Sequence, residues 1–494
     1  MELNRNASSS SSPKNSNSSD SEQQDKPYNR PELKNVLSQT IALLSPSGNQ
    51  YHPRTVYFIN DPKLNENPKR ENLKIEKVEI TDKNFMVLYK AYKNLPLCLS
   101  EPMKYNNVIR SKLFDSTNVI WKLLKKDKMF PLLKELNKYQ RFNHFPMTWQ
   151  LSRKDNLYTN YKKMKSNHPN DYGYMPETYI LPRDNDQFKP LIENYTMNEK
   201  NMWLIKPVAS SRGRGIRLMT NPTAIPSKGL LTRYIYNPHL INNKKYDLRL
   251  YLLVTGYTPL KIYLFDEGLT RFASEEYSLN QDNMSNRYIH LTNYSINKSS
   301  EKYQKNNDYG EEEGNKWSLS TLRKHFKNNN EDFEKVWFKI KDIMIKTILS
   351  VTDDAIPLIK SFHLSSSNLF ELYGVDILLD QKLNPWLMEV NLNPSLNCDS
   401  EIDLKIKSKL LTDIFNIIGV VPFSHDDNMT PLDKEIKYST EIEEAVTESL
   451  FEFERPTGGF ERIFPRKETI DYYKKFLVNP GEENIKLWEK LKNK

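Results

Sequence analysis

Hydrophobic and polar residues follow two different periods along the chain, and together they predict a mixed α/β (α+β) fold. Between residues 333 and 348 the apolar side chains recur every three or four positions, which predicts a long amphipathic helix. A second helix is predicted over 404–418, with Gly419 as the left-handed residue at its end. Residues 246–264 instead contain two runs that are typical of strands.

The two ends of the chain lack this clear periodicity. Residues 1–33 are mainly Ser, Asn, Lys and Asp with almost no large apolar side chains, so we expect a disordered tail. Short apolar runs over 34–145 predict a small N-terminal α/β domain. The charged C-terminal extension, 421–494, is expected to be partly helical, with exposed helices over 441–454 and 482–492.

Composition excludes several classes of protein. The 494 residues include 72 Lys and Arg against 63 Asp and Glu, and the resulting charge of +9 indicates an acidic partner. No apolar run approaches the ~18 residues that span a bilayer, and the first residues lack the apolar core of a signal peptide, so we expect a cytosolic or nuclear protein. Two cysteines are too few for a disulfide framework or a Cys-rich zinc site, and the eight histidines show no ligand spacing.

Two β-rich runs joined by four polar residues predict a hairpin over residues 373–392. If Asp380 pairs with Pro385, then Asp376 stands opposite Glu389, and Asn391 shares their face because side chains alternate with period two. The side chains expected to point into the core are Val375, Ile377, Met388 and Val390.

The paired carboxylates of this hairpin favour a metal site. Two opposed carboxylates repel each other unless a cation lies between them. Oxygen ligands suit Mg²⁺, which normally also takes water and phosphate oxygens. The alternation of the strands and the lack of a basic partner favour this interpretation, and the alternative is a solvated hairpin face with ordinary charges.

A glycine-containing loop lies between two predicted strands, 202–207 and 216–219. The chain has only 14 glycines, and Gly213 and Gly215 allow the backbone to approach a phosphate closely. Arg212 and Arg214 add positive charge, and Lys206 on the preceding strand can reach a phosphate as a point charge. The flanking strands exclude a P-loop, and the alternative is an ordinary basic hairpin turn.

Two further segments carry candidate polar groups. On the strand 246–254, Asp247, Arg249 and Tyr251 share one face, although an acid and an arginine placed so can simply pair with neighbours. Residues 290–298 are dense in short polar side chains, which suits either a substrate loop or a locally bonded turn.

Together these segments resemble the ATP-grasp superfamily, and within it the tubulin tyrosine ligase-like family, over roughly residues 139–419. The motifs occur in the family's order: Phe142–Pro146, Arg153–Asp155, Met175–Pro182, Ile205–Pro207, Arg212–Ile216, Arg233–Ile235, Tyr246–Arg249, Gly268–Ala273, His290–Ser295, Lys316–Trp317, Gly374–Asp376 and Trp386–Asn391. The sequence of residues 263–274 is most similar to the glutamylase branch of the family.

The resemblance implies a fold that holds ATP between a central domain, 146–232, and a C-terminal ATP-grasp domain, 233–420. It implies a ligase that activates a side-chain carboxylate as an acyl phosphate, which the amine of free L-glutamate then attacks to form an isopeptide bond. The expected requirements are ATP and two Mg²⁺ ions, and the expected partners are the acidic C-terminal tails of tubulin in microtubules, with no nucleic acid and no membrane. The cytoplasm, the cytoskeleton and the cilium or basal body are the expected locations.

The resemblance also implies roles for individual residues. The phosphates and the adenine would be held by Lys206, Arg212, Gly213, Arg214, Gly215, Ile216, Arg233, Tyr234, Ile235, Lys245, Asp247, Thr292 and Asn293. The amino-acid substrate would be held by Arg271, Tyr294, Ser295 and Lys316. The metal ions would be held by Asp376, Glu389 and Asn391, and Arg249 would face the transferring phosphoryl group or the tetrahedral intermediate.

The sequence departs from the family pattern at Thr232, where Gln is common, and at Met147, where Gly is common. Neither position belongs to the expected metal site, so we expect an active enzyme. Two alternatives remain. The first keeps the ligase chemistry but adds glycine or modifies a non-tubulin acidic protein, and the second is an inactive microtubule-binding protein.

Overall fold

Eighteen strands and thirteen α-helices form the part of the chain that the structure, a computed structural model, describes. The described residues are 33, 36–45, 52–65, 73–91, 95–114, 117–193, 201–208, 213–219, 225–306, 309–426, 429–433 and 436–493. The expected disordered tail therefore lies almost wholly outside them. Residues 37–494 make up one compact unit.

The elements are numbered in chain order. The strands are β1 Gln39–Leu44, β2 Thr55–Val56, β3 Ile75–Ile80, β4 Leu88–Ala91, β5 Ile109–Arg110, β6 Val119–Trp121, β7 Arg141–Phe142, β8 Thr178–Leu181, β9 Trp203–Lys206, β10 Arg217–Leu218, β11 Gly229–Arg233, β12 Leu240–Ile241, β13 Lys244–Tyr257, β14 Leu260–Phe272, β15 Lys316–Ser318, β16 Glu371–Leu379, β17 Pro385–Leu392 and β18 Phe460–Phe464. The helices are α1 Leu97–Tyr105, α2 Lys126–Glu135, α3 Trp149–Ser152, α4 Lys154–Asn167, α5 Asn185–Glu193, α6 Arg287–His290, α7 Tyr294–Asn297, α8 Leu319–Asn328, α9 Phe333–Lys360, α10 Glu401–Ile418, α11 Glu441–Glu454, α12 Ile470–Tyr473 and α13 Glu482–Lys492.

Four sheets organise the chain. Near the N-terminus, an antiparallel sheet in the order β2-β1-β3 is followed by a parallel sheet in the order β5-β4-β6-β7. A third sheet, β10-β9-β11-β8, is antiparallel and contains the hairpin that the glycine loop connects. The mixture of sheets and helices confirms the predicted α/β fold class.

The seven-stranded antiparallel sheet is the centre of the molecule. Its order is β15-β14-β13-β16-β17, with β12 added to β13 and β18 added to β14. Leu248, Leu250 and Leu252 on one face of β13 are buried in the same apolar cluster as Ile340 and Met344 of α9. The opposite face of β13 is therefore left to its polar residues.

The two predicted amphipathic helices are confirmed. Helix α9 runs for 28 residues and begins at Asp332, whose side chain accepts a hydrogen bond from the backbone N–H of Lys335. Helix α10 ends at Gly419, which adopts the left-handed conformation with φ +63°. A side chain there would collide with Arg455, because a Cβ would lie 2.3 Å from the guanidinium carbon.

The C-terminal helices have the predicted bounds, but the prediction that they are exposed is wrong. Val446 and Phe451 of α11 and Leu487 and Trp488 of α13 are buried. The sequence analysis also missed β18, which pairs with β14 of the central sheet. Within the described ranges, no helix combines the length and apolarity needed to cross a membrane.

Candidate functional site

The hairpin of β16 and β17 brings three predicted site residues together. Asp376 is paired directly with Glu389, as predicted from the alternation of the two strands. The side-chain amide of Asn391 lies 3.1 Å from Glu389 Oε1 and 3.5 Å from Asp376 Oδ2. These three polar groups therefore lie within hydrogen-bonding reach on one face of the sheet.

The turn of this hairpin differs from the prediction. Pro385 pairs with Leu379 rather than with Asp380, because a bulge between Asp376 and Ile377 shifts the register by one residue. The bulge also changes which side chain enters the core. Leu387 is buried, whereas Met388, which was predicted to be buried, lines a cleft.

Two adjacent rows of charged side chains cross this face of the seven-stranded sheet. Strand register aligns each row across three strands: Lys316, Arg271 and Asp247 in one, and Arg249, Asp376 and Glu389 in the other. Such rows follow from the period-two alternation of strands whose other face is packed into the core.

Two arginines join the rows, so the predicted lack of a basic partner for the carboxylates is wrong. Arg271 donates two hydrogen bonds of 2.7 Å to Asp247 and lies 3.0 Å from Asp376 Oδ2. Arg249 donates bonds of 2.6 and 3.1 Å to the two oxygens of Asp376. Burial alone would raise the pKa of Asp376, but the charges of Arg249 and Arg271 outweigh it and hold that pKa well below its usual range.

Three lysines converge beside the carboxylate end of these rows. Lys154 at the start of α4 lies 3.0 Å from Glu389 Oε2, and both side chains are partly exposed, 16% and 21%. Burial lowers the pKa of Lys206 to about 8 and that of Lys245 to about 7. The positive charge of Lys206 adds to the depression at Lys245, so the two ammonium groups are electrostatically coupled.

Two of these lysines face a narrow cleft of about 20 Å³ between the third sheet and the hairpin. Lys154, Lys206, Thr232 and Met388 are among its lining residues. Near its polar end, cationic side chains outnumber carboxylates by five to three. The cations are Lys154, Lys206, Lys245, Arg249 and Arg271, and the carboxylates are Asp247, Asp376 and Glu389. A surplus of buried positive charge is suited to an anion such as phosphate.

A hydrogen-bonded series of polar side chains, Tyr234 and His290, positions Lys245. Its ammonium donates to the hydroxyl of Tyr234 at 3.1 Å, and that hydroxyl lies 3.0 Å from His290 Nδ1. Burial, together with the charge of Lys245, lowers the pKa of His290 to about 4, so the imidazole is neutral at physiological pH. Thr292 donates a 2.7 Å hydrogen bond to Asp247 and thereby attaches the following loop to the same site.

The predicted hinge residues are not all turned toward the cleft. Tyr234 and Ile235 are buried, but Arg233 directs its guanidinium to Glu177 with hydrogen bonds of 2.9 and 2.8 Å. Thr232 lies in the cleft wall and is bonded to the hydroxyl of Thr178 at 3.2 Å.

The glycine loop needs its glycines. Gly213 and Gly215 have φ of +69° and +72°, a conformation that disfavours other residues. A Cβ at Gly213 would lie 2.7 Å from Asn293 Oδ1, so the loop packs closely on the 290–298 segment. Arg287 fixes this contact by donating a 3.1 Å bond to the Gly213 carbonyl. Arg214 is exposed and Ile216 half-buried, and Arg212 lies outside the described residues.

A second cavity, of about 140 Å³, lies at the other end of the charged rows. Lys316 and Tyr294 line it together with Asp399 and Ser400. The Lys316 ammonium lies 2.6 Å from Asp403 and 4.6 Å from the centre of the Tyr294 ring, and burial lowers its pKa.

Of the other residues predicted for the amino-acid substrate, Ser295 follows Tyr294 at half-buried depth. Arg271 is opposite Lys316 in the strand register, but its guanidinium is occupied by Asp247 and Asp376. The structure thus places Arg271 between the two cavities rather than in the second alone.

Sequence reasoning missed two members of this arrangement. Lys154 belongs to the Arg153–Asp155 motif, but the neighbouring sequence did not indicate a contact with Glu389, which is 235 positions away (389 − 154). Asp403 lies just before the helix that was predicted over 404–418 and was given no role, although it bridges Lys316 and Lys407 at 2.6 and 2.8 Å. Such partners become visible only when separate elements are packed.

The donor set of the hairpin fits a hard divalent cation. Two carboxylates and one amide lie side by side, and Glu389 is partly exposed next to Lys154, which lines the cleft. In the described part of the chain, no group of three or more His, Cys, Asp or Glu side chains gathers at one point. A cation at Asp376, Glu389 and Asn391 would thus rely on the amide oxygen and on oxygens from substrate and water.

Comparison with known proteins identifies the family. The family model for "Tubulin-tyrosine ligase family" matches residues 132–428. The chain is 37% identical over 409 residues to mouse "Tubulin polyglutamylase TTLL5", covering 73% of this chain and 30% of that protein. It is 38% identical over 305 residues to human "Tubulin monoglutamylase TTLL4", covering 61% and 25%. It is 35% identical over 350 residues to "Tubulin polyglutamylase ttll-5" of Caenorhabditis elegans, covering 68% and 48%.

The chain spans between a quarter and a half of the length of these three relatives. The family match covers more than half of the chain and includes every residue of the two charged rows. The mixed α/β structure, with several sheets and thirteen α-helices in the described residues, is consistent with the ATP-grasp-like fold of that family. The chain belongs to the tubulin-tyrosine ligase family.

Proposed function

We propose that the chain is an ATP-dependent ligase that adds glutamate, through an isopeptide bond, to the γ-carboxylate of glutamates in tubulin C-terminal tails. The observation that carries the proposal is the pair of charged rows, which connects a cationic cleft to a second polar cavity. The names of the relatives support tubulin as the acceptor and glutamate as the amino acid.

ATP would place its phosphates beside this cleft. Lys154, Lys206 and Lys245 would hold its phosphates, and their partial burial strengthens each interaction because water is excluded. The neutral His290 and Tyr234 would keep the Lys245 ammonium oriented without competing for the anion. The glycine loop would cover the phosphates from the side of Asn293.

Asp376, Glu389 and Asn391 would hold Mg²⁺, which would supply positive charge for the phosphate groups. The protein's own residues prepare this site in two ways. Arg249 and Arg271 keep Asp376 ionised, and Lys154, which lines the cleft, holds Glu389 at 3.0 Å. The same arginines would stabilise the negative charge that develops as the phosphoryl group moves and as the tetrahedral intermediate forms.

The reaction needs no side-chain nucleophile. The acceptor carboxylate takes the γ-phosphoryl group of ATP and releases ADP, and the amine of glutamate then attacks the acyl carbon and expels phosphate. The second cavity would bind this glutamate, with Lys305 and Lys316 in its wall as the cations for its carboxylates and Arg271 behind Lys316 in the strand register. The net charge of +9 would favour the approach of an acidic tail.

Mass spectrometry of tubulin tails tests the proposal. Purified chain, ATP, Mg²⁺ and glutamate should add mass to tubulin in steps of one glutamate residue, and the fragment spectra should show branching at glutamate side chains. Absence of any addition by folded protein would contradict the proposal. The same spectra report which tubulin chain is modified and how many residues each branch contains.

A competition experiment separates the alternatives. Equal concentrations of labelled glutamate and glycine should lead to incorporation of glutamate alone, whereas incorporation of glycine would identify a glycine ligase. Incorporation into another acidic protein but not into tubulin would change the acceptor. With tubulin as acceptor, the protein is expected on the cytoskeleton, including the microtubules of the cilium or basal body.

A further inference from the structure

The two cysteines of the chain meet in the fold although they are 300 positions apart (98 and 398). Cys98 lies on α1, and Cys398 lies on the segment that joins β17 to α10. Both sulfur atoms lie against one oxygen, the carbonyl of Leu396, at 3.1 Å for Cys98 and 3.4 Å for Cys398. Because the two cysteines are far apart in the sequence, they meet at this oxygen only through the tertiary packing of the fold.

The two thiols have different environments. Cys98 is fully buried, whereas Cys398 is partly exposed. Hydrogen bonding between them raises the pKa of Cys98 and lowers that of Cys398, and the charge of Lys407 also lowers the pKa of Cys398. The Lys407 ammonium is held nearby by the carbonyl of Asn397 at 2.5 Å and by Asp403 at 2.8 Å.

We propose that Cys98 and Cys398 form a reversible disulfide when a peroxide oxidises the protein. The Cys398 thiolate attacks one oxygen of hydrogen peroxide, which gives a sulfenic acid and a hydroxide that is protonated to water. The sulfur of Cys98 then attacks the sulfenic sulfur, the S–S bond forms, and the departing hydroxide takes the Cys98 proton as water. Two thiols and one peroxide thus give one disulfide and two waters, and a dithiol reductant reverses the change.

The disulfide would act on the second cavity. Asp399 and Ser400, which follow Cys398 directly, line that cavity opposite Lys316. Ser400 also begins α10, where its side chain accepts a hydrogen bond from the backbone N–H of Asp403, the carboxylate that holds Lys316. A covalent link from Cys398 to α1 would therefore shift or immobilise Asp399 and Ser400, which form this side of the cavity. The effect on glutamate binding rests on the proposed function, but the disulfide itself does not.

Peptide mapping tests the disulfide directly. The full chain is treated with hydrogen peroxide under native conditions, free thiols are blocked, and the digest is analysed with and without reductant. We expect the Cys98 and Cys398 peptides to be joined within one chain and separated by reductant. Two free thiols, or links only between chains, would overturn the proposal.

Two single variants assign the roles of the sulfurs. In Cys98→Ser, Cys398 should accumulate as a sulfenic acid that a dimedone probe captures. In Cys398→Ser, the buried Cys98 should stay reduced at the same peroxide concentration. Capture at Cys98 rather than at Cys398 would overturn the assigned order of attack, and circular dichroism checks that both variants are folded.

Kinetic measurements test the consequence. Oxidation of the unmodified chain should raise the KM for glutamate several-fold while the KM for ATP changes by less than twofold, and reductant should restore both. Cys398→Ser should be insensitive to peroxide. An unchanged KM in chains that carry the disulfide would overturn the coupling to the cavity, whereas absence of ligase activity before oxidation would contradict the proposed function and leave the peptide map decisive for the disulfide.

Discussion

Two clusters of buried charge lie at opposite ends of β13 and β14, and only one of them has the character of a site. At the first end, Arg249 and Arg271 meet Asp376 beside the cleft. At the other end, Lys261 of β14 pairs with Glu452 of α11 at 2.7 Å. Both pairs are shielded from water, so burial of charge alone does not distinguish them.

The difference lies in whether the charges are balanced within the protein. Glu452 also accepts hydrogen bonds of 2.6 Å from Thr255 and 2.7 Å from Tyr263, so three protein donors share its two oxygens. Lys261 is 0% exposed and Glu452 4% exposed, and no cavity adjoins them among those described. The first cluster instead has more cations than carboxylates and opens into a cleft. A closed, balanced cluster stabilises a fold, whereas an open, unbalanced one can bind a ligand.

The largest expected effect is on stability at the closed cluster. Glu452→Gln leaves Lys261 buried without a counter-charge, and breaking such a pair costs about 3–5 kcal/mol. Chemical denaturation should show this loss in the free energy of unfolding. The double variant Glu452→Gln with Lys261→Met should recover part of it, and a loss below about 1 kcal/mol in the single variant would contradict the comparison.

The next effect is on turnover at the open cluster. Glu389→Gln removes a proposed metal ligand, and kcat should fall by roughly 10²- to 10³-fold, the range for loss of one electrostatic group at a reacting centre. Because Glu389 is partly exposed, the melting temperature should stay within a few degrees of the parent. A variant that melts as early as Glu452→Gln, or one that retains full turnover, would erase the distinction between the clusters.

Removing a lysine from the cleft should weaken nucleotide binding. Lys154→Met deletes one charge-assisted contact, and such contacts are worth about 1.5–3 kcal/mol, so the Kd for ATP should rise roughly 10- to 100-fold. Isothermal titration calorimetry measures this directly. Lys165→Met, on the same helix but outside the residues that line the cleft, serves as the matched control and should bind ATP as the parent does.

Nucleotide binding should also weaken as pH rises. Burial lowers the pKa of Lys206 to about 8, so its ammonium form, which attracts phosphate, is lost as pH increases through that value. Loss of this one charge should raise the Kd for ATP by up to about tenfold between pH 7 and pH 9, in addition to the loss from Lys245, whose pKa of about 7 lies lower. In Lys206→Met this step should be smaller, and an identical pH profile in the variant would exclude Lys206 as its source.

The smallest effect is expected at Arg233. Its guanidinium is directed to Glu177 at the surface and lies over the ring of Trp203 at 4.7 Å. Arg233→Ala should change the KM for ATP by less than about twofold and the free energy of unfolding by less than about 1 kcal/mol, the usual value of an exposed ion pair. A tenfold rise in KM would instead place its side chain in the nucleotide site.

The sequence allowed the site to be predicted where local alternation decides it. Asp376 faces Glu389 because both strands alternate and their other face is apolar, and this follows from the residues themselves. The pairing of Pro385 with Leu379 was not predictable, because a single bulge changes the register without leaving a signature in composition. The bulge lies between the turn and Asp376, which explains why the wrong turn register still gave the correct pair.

Partners that come from distant elements escaped prediction. The carboxylates of the hairpin were expected to lack basic neighbours because only their own two strands were considered, whereas Arg249 and Arg271 belong to β13 and β14. The charged sequence of α11 predicted an exposed helix. One face of this helix is in fact buried, and the charged residue Glu452 lies on that face. A buried salt bridge and a solvated charge have the same appearance in a sequence.

The short strand β18 has a practical consequence for where a shortened chain can end. It pairs with Ile262, Tyr263, Leu264 and Phe265 of β14, a stretch that β15 does not cover. A fragment ending at residue 428, where the family match ends, would leave these apolar residues on an unprotected sheet edge, which is a template for aggregation. Fragments intended for crystallisation should therefore extend through α13, and insolubility of shorter ones would reflect a missing edge strand rather than a missing activity.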